Sequence, residues 1–251
     1  MLKEAIKSVL AKSPLADLPI TIRNGAAKGA KWTIFPFSMY WRLGGDTDVA
    51  MAAAFLPNIQ GSVFWDFGAH FGIHSVAMAL KVGPAGQVVS FEPDAYSFAK
   101  LSKHIRLNRL QNVKTINAAV SNHRGTGTMI SFGAGASTQH FVYPDADGED
   151  ASKATLPVQT VVADDLVENK EIRAPDLIKV DVEGHGAFAL SGAIKAISRH
   201  KPLIVMSSHS NEETRGTQEI LEPLGYAVFS LSSQRLSWPD LTYTTRLLRA
   251  H

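Results

Sequence analysis

Three short runs combine residue types that can do chemistry. The first is Asp66-Phe67-Gly68-Ala69-His70-Phe71-Gly72, in which an acid closes an apolar run and two glycines lead into a helical period. Gly68 and Gly72 remove side chains where a ligand must approach the backbone, and the helix start offers unpaired N–H groups that suit an anion. After Gly68, the second glycine of a dinucleotide fingerprint would fall at position 70, which is His70. A pyrophosphate would press on that imidazole, and a smaller anion such as an amino-acid carboxylate fits better. The second run is Phe91-Glu92-Pro93. Glu92 lies twenty positions beyond Gly72, a separation at which an acid accepts hydrogen bonds from ribose hydroxyls. The third is Ile178-Lys179-Val180-Asp181-Val182-Glu183-Gly184-His185-Gly186. Read as a strand end, it turns Asp181 and Glu183 to one side, with His185 opening the next helix. Such a cluster could hold a cation and take a proton; alternatively, Lys179 and the acids form an ion-pair network and His185 caps the helix. Together the runs favour a nucleoside-bearing ligand and do not choose which.

These residues need elements to hold them. The apolar patterning predicts strands over 62–67, 87–91, 113–119, 177–182, 203–206 and 226–231. Helical periods fall over 73–82, 95–108, 188–197 and 212–224. Repeated strand–helix units imply an α/β fold, a doubly wound and mostly parallel sheet covered on both faces. Binding then belongs at the carboxyl ends of the strands. Strands over 126–132 and 155–161 flank an excursion with a Gly/Ala/Ser-rich stretch (133–139) and an acidic stretch (145–150). The first of these is the candidate mobile loop on the substrate side. Residues 1–60 read as a cap of the same domain: an amphipathic helix carrying Leu2, Ile6 and Val9, then a hairpin of 20–23 and 31–35. Residues 61–251 form the core. Tyr40 and Arg42 could close the pocket from the cap side.

Composition narrows the function. The chain has 251 residues, 45% of them hydrophobic and 19% charged, with 25 basic and 23 acidic residues and a formal charge of +2. That balance demands neither nucleic acid nor an acidic membrane as partner. With no cysteine, disulfides, thiolate zinc sites and a cysteine nucleophile are excluded. No apolar run reaches the roughly 18–20 residues of a membrane span, and the N-terminus lacks a signal peptide's unbroken apolar core, so a cytoplasmic protein is expected. His70 and His74 are four apart, but no glutamate follows His70 as in H-E-x-x-H, and no metal site is expected there. His209, just past a strand end, is placed near His185 by the expected fold, where it lines a substrate cavity or lies on the surface. The four tryptophans read as packing residues.

The motifs taken together resemble the FkbM family of class I S-adenosylmethionine-dependent methyltransferases. The resemblance rests on Asp66 to Ser75, Phe91-Glu92-Pro93, Leu101 with Asn108 and Asn112, Asn117 to Ser121, Val161 to Leu166 and Ile178 to His185. It implies that Asp66, Gly68, His70 and Gly72 form the loop at the methionine side of the cofactor, with Ser75 in the first helical turn. It implies Glu92 on the ribose, Asn117 and Ala118 beside the adenine, and Asp181 facing the methionine moiety. The implied reaction is methylation of a hydroxyl on a sugar, glycan or polyketide-type small molecule, by a protein that could be a homo-oligomer. His185 is the expected base, oriented by Asp181 or Glu183. The chain departs from the family pattern at three places. His70 stands where Asn is usual, Gly186 replaces the acid after the histidine, and Ser207-Ser208 occupies a strand end that usually carries Glu. A protein that binds the cofactor without turning it over is the rival those losses motivate, and a nicotinamide-dependent oxidoreductase on a similar sheet is the second.

Overall fold

The computed structural model describes residues 18–33, 48–130 and 155–250. The expected N-terminal helix, Trp41, the Tyr40–Arg42 closure, and the 133–139 and 145–150 stretches lie outside them. The hairpin forms as β1 (Pro19–Thr21) and β2 (Lys31–Thr33), antiparallel. A short helix α1 (Asp48–Ala52) leads to β3 (Val63–Phe67), α2 (Ile73–Val82), β4 (Gln87–Phe91), α3 (Ala95–Leu107) and β5 (Val113–Ile116). A second set follows: β6 (Ala119–Val120), β7 (Gly125–Ile130), β8 (Thr155–Val161) and α4 (Ala163–Glu168). The chain then adds β9 (Leu177–Val180), α5 (Gly186–Ser191), α6 (Ile194–His200), β10 (Leu203–Ser207), α7 (Asn211–Leu221), β11 (Tyr226–Phe229) and β12 (Thr245–Ala250).

The main sheet has seven strands in the order β11-β12-β10-β9-β3-β4-β5, and only β12 runs against its neighbours. Strand order reverses beside β3, so β3, β4 and β9 bring their carboxyl ends together at the switch point. Both faces are covered, as the continuous apolar strands require. Trp65, Phe67, Val89, Ile178, Ile204 and Met206 join one buried cluster. Phe64, Val88, Leu177, Val205 and Leu247 join the other, together with Val49 and Ala52 of α1. The hairpin packs on α2 and α3 through Ile22 and Trp32, so the described parts of residues 1–60 share their buried surfaces with the core.

Four expectations are corrected. The 113–119 strand is two strands in different sheets, because the chain leaves the main sheet at Asn117 to pair β6 with β8. The 188–197 helix is two helices. At Gly192 a Cβ would lie 2.0 Å from the Ser121 carbonyl oxygen, and α6 restarts where the Asp164 carboxylate accepts from Lys195 and Ala196 N–H groups at 2.8 and 2.9 Å. That is the usual way to satisfy a helix's first donors, here supplied from another element. Strand β9 stops at Val180, leaving Asp181 and Glu183 in a turn. Strand β12 was not expected, since Thr245-Arg-Leu-Leu-Arg-Ala alternates poorly and its pairing with β10 and β11 is long-range.

Candidate active site

The glycine turn and the acid of β4 form one unit. Gly68 and Ala69 donate their N–H groups to the Phe91 carbonyl at 3.1 and 3.0 Å, which seats the turn on the end of β4. His70 N–H donates to Glu92 Oε2 at 2.7 Å and Asp94 N–H to Glu92 Oε1 at 2.9 Å. Glu92 is therefore fixed, 6% exposed, with one further lone pair per oxygen in the carboxylate form. Burial pushes its pKa up to about 7, against the lowering effect of the two N–H bonds. Asn117 donates from Nδ2 to the Glu92 and Pro93 carbonyls at 2.7 and 3.1 Å, which brings the exposed Asn117 to the same edge, while Ala118 is enclosed.

Two residues expected at the cofactor are bonded to each other in the interior. Asp66 and Ser75 are both fully buried. Ser75 Oγ donates to Asp66 Oδ2 at 2.6 Å and accepts from Ser90 Oγ at 2.8 Å. The cation that Asp66 meets is Lys179, whose Nζ lies 3.3 Å from Asp66 Oδ1. The same ammonium donates to the Gly68 carbonyl at 2.9 Å and lies 3.7 Å from Asp181 Oδ2. Of the ion-pair network offered as the alternative for the third run, the Lys179–Asp181 pair forms, Asp66 from the first run joins it, and His185 makes no side-chain cap; the ammonium braces the turn through the Gly68 carbonyl. The glycines also have a packing reason. A Cβ on Gly68 would lie 2.0 Å from the Asp181 carbonyl oxygen, and one on Gly72 would lie 2.3 Å from Leu101 Cδ1. Both have left-handed backbones, φ 75° and 84°. They serve close packing of the turn on β9 and α3, and His70, also left-handed, stacks on Phe71 at 3.9 Å.

Beyond β9 the third run converges on a residue from another strand. His209, past the end of β10, lies with Nε2 2.9 Å from Asp181 Oδ1 and Nδ1 3.4 Å from Glu183 Oε2. Strand alternation does not bring the two acids together, because Glu183 sits in a left-handed turn (φ 49°). Burial acts to raise the Asp181 pKa, but Lys179 and the His209 hydrogen bond overcome it and hold the carboxyl well below the usual range. The bond to Asp181 pushes the His209 pKa up against its partial burial. His185 differs in every respect. It is 2% exposed at the start of α5, makes no side-chain cap and stacks on Phe188 at 5.2 Å. Burial lowers its pKa to about 3, so it is neutral across the histidine range. Asp181 and Glu183, expected to orient His185, both reach His209.

One acid was missed altogether. Glu213 of α7 accepts from Gly186 N–H at 2.8 Å and His209 N–H at 2.7 Å, and is 3% exposed. A Cβ at position 186 would lie 2.6 Å from Glu213 Oε1, so this carboxylate fills the room that a glycine after His185 leaves. The sequence signals for it were the absence of an acid at 186 and the Ser210-Asn211-Glu212-Glu213 capping pattern at the start of α7. Asp181, Glu183 and His209 each bring a potential ligand atom within 4.8 Å of the others. Both ring nitrogens face carboxylate oxygens, which matches a proton carrier held between acids. Gly184 (φ 93°) has open space where a Cβ would be.

Residues 66–231 match the Methyltransferase FkbM domain. The hexuronic acid methyltransferase AglP of Haloferax volcanii is 22% identical over 228 residues, covering 86% of this chain and 83% of that protein. The crystal structure of methyltransferase FkbM from Methylobacillus flagellatus aligns with a TM-score of 0.52 at 21% identity. That alignment covers 79% of this chain and 47% of the other, so the chain spans about half the length of that structure.

Proposed function

The chain belongs to the FkbM methyltransferase family, and from that premise we propose that it transfers a methyl group from S-adenosylmethionine to a hydroxyl oxygen of a sugar-type acceptor, with a hexuronic acid as the first candidate. The observation that carries the reading is the union of the glycine turn with Glu92 through the 2.7 Å bond from His70 N–H. The donor set suits the cofactor: a buried acid with spare lone pairs for ribose hydroxyls, Asn117 beside it for the adenine, and the edge toward Asp181 for the methionine moiety. In this reading Gly68, His70 and Gly72 shape the turn, while Asp66 and Ser75 support it through Lys179 and Ser90. When bound, the cofactor supplies a methyl group made electrophilic by the adjoining sulfonium. The residues around Glu92 and Asp181 would hold the cofactor for attack by the acceptor hydroxyl, and alignment would supply much of the rate. The hexuronic acid candidate comes from the relative's substrate.

The test is transfer of a radiolabelled methyl from S-adenosylmethionine to hexuronic acid glycosides and to their neutral hexose counterparts. Incorporation into the hexuronic acids, resistant to mild base as an ether is, is the expected result. Base-labile label would mean that a carboxylate was esterified, and methylation of the hydroxyl would be rejected. Label on neutral hexoses alone would keep the methylation and remove the hexuronic acid assignment.

A further inference from the structure

We propose that His209 is the general base of the transfer, taking the acceptor's proton on Nδ1 while Asp181 holds Nε2. The inference rests on the hydroxyl-methylation reading above. Asp181 faces Lys179 through Oδ2 at 3.7 Å, and an ionised carboxylate can only accept hydrogen bonds. The 2.9 Å contact from Asp181 Oδ1 to His209 Nε2 therefore places the imidazole proton on Nε2. The lone pair is then on Nδ1, the nitrogen turned toward Glu183 Oε2 at 3.4 Å. The main chain of His209 is pinned separately by Glu213 at 2.7 Å. The side chain is 33% exposed, so an acceptor can reach it without opening the fold; His185, at 2%, offers no such access.

The groups facing the ring are Asp181 and Glu183 from the turn after β9 and Glu213 from α7, with Lys179 behind Asp181. His74 of α2 also acts to lower the Asp181 pKa. The three acids favour an imidazolium, so the ring is a proton acceptor with a stabilised product. In the transfer, the hydroxyl oxygen forms a bond to the methyl carbon as the methyl–sulfur bond breaks. The bonding pair goes to sulfur, leaving a neutral thioether, and the hydroxyl proton goes to Nδ1. The charge lost from sulfur reappears on an imidazolium between Asp181 and Glu183. Asp181 and Glu183 are positioning residues in this scheme.

Two measurements test it. In nitrogen-15 histidine spectra of the full chain with S-adenosylhomocysteine, with His209→Asn giving the assignment, the neutral ring is expected as the Nε2–H tautomer, with a midpoint above 6.5. An Nδ1–H tautomer overturns the proposal whether or not an acceptor is known. In single-turnover methyl transfer to a hexuronic acid glycoside, His209→Asn should lower the rate by about 10²- to 10⁴-fold with S-adenosylhomocysteine affinity unchanged. Added imidazole should restore part of the rate in His209→Ala, which a purely structural histidine would not allow. The wild-type rate should rise with pH through a midpoint above 6.5, since the neutral ring is the active form. A near-wild-type rate in His209→Asn, a flat profile from pH 5 to 9, or dependence on Mg2+ or Mn2+ that chelator abolishes would each overturn the assignment. Failure of the wild type to bind S-adenosylhomocysteine would instead reject the underlying reading.

Discussion

At the scale of single residues, the site is a set of acids given different tasks by their surroundings. Glu92 is buried with its pKa near 7, while Asp181, beside Lys179, is held ionised. Folding that raises the Glu92 pKa from 4.5 to about 7 favours its protonated form. Its contribution to stability is fully present below about pH 4.5 and declines as pH rises through 7. Ribose hydroxyls donate to the charged form, so cofactor binding near pH 6 should release a proton. Calorimetry of S-adenosylhomocysteine binding in two buffers of different ionisation enthalpy should detect this, and Glu92→Gln should abolish the release. The same variant keeps an acceptor for one backbone N–H, so the fold should persist while affinity falls by about 1.5–3 kcal/mol for each charged hydrogen bond lost. Unchanged affinity and unchanged proton release would remove Glu92 from the cofactor site. Asp66, Glu92, Asp181 and Glu183 were all legible in the sequence because each ends or follows a strand at a characteristic spacing. Their partners were not. The Lys179–Asp66 pair, His209 with Asp181 and Glu213 below Gly186 are long-range contacts that no local pattern encodes.

At the scale of elements, the turn from β3 to α2 depends on glycines for reasons that lie in other strands. The turn's position was readable from Asp66 to Gly72, but the Asp181 carbonyl against Gly68 became visible only when β9 was placed beside β3. Gly68→Ala should consequently cost stability as well as binding. The left-handed backbone alone contributes roughly 1–2 kcal/mol, and the 2.0 Å approach must be relieved by moving the turn off β9. Thermal melting beside a binding titration should show both falling together. A variant that melts like the wild type but no longer binds would restore the simpler view, in which the glycine only makes way for the ligand. Helices α2 and α3 and strands β4 and β8 match their expected ranges nearly to the residue, and Gly83-Pro84 in the sequence marks where α2 stops. The break between α5 and α6 was not, because the Asp164 cap comes from α4.

At the scale of the whole molecule, Lys179 ties the parts together. One ammonium, 7% exposed, reaches the end of β3 at Asp66, the glycine turn at Gly68 and the turn after β9 at Asp181. The glycine turn and the acids around His209 thus share one brace, and the sheet order places both at the switch point. The α/β class and the parallel sheet followed from alternating strands and helices. The antiparallel β12 did not, since its register is set by β10 and β11 rather than by its own pattern. No described helix is long and apolar enough to cross a membrane. The central claim is that this edge holds S-adenosylmethionine, and a calorimetric titration of the full chain with S-adenosylhomocysteine tests it most directly. The account predicts saturable binding with one site per chain, weakened in Glu92→Gln, and no heat from reduced nicotinamide dinucleotide under the same conditions. Saturable nicotinamide binding with none for S-adenosylhomocysteine would contradict it.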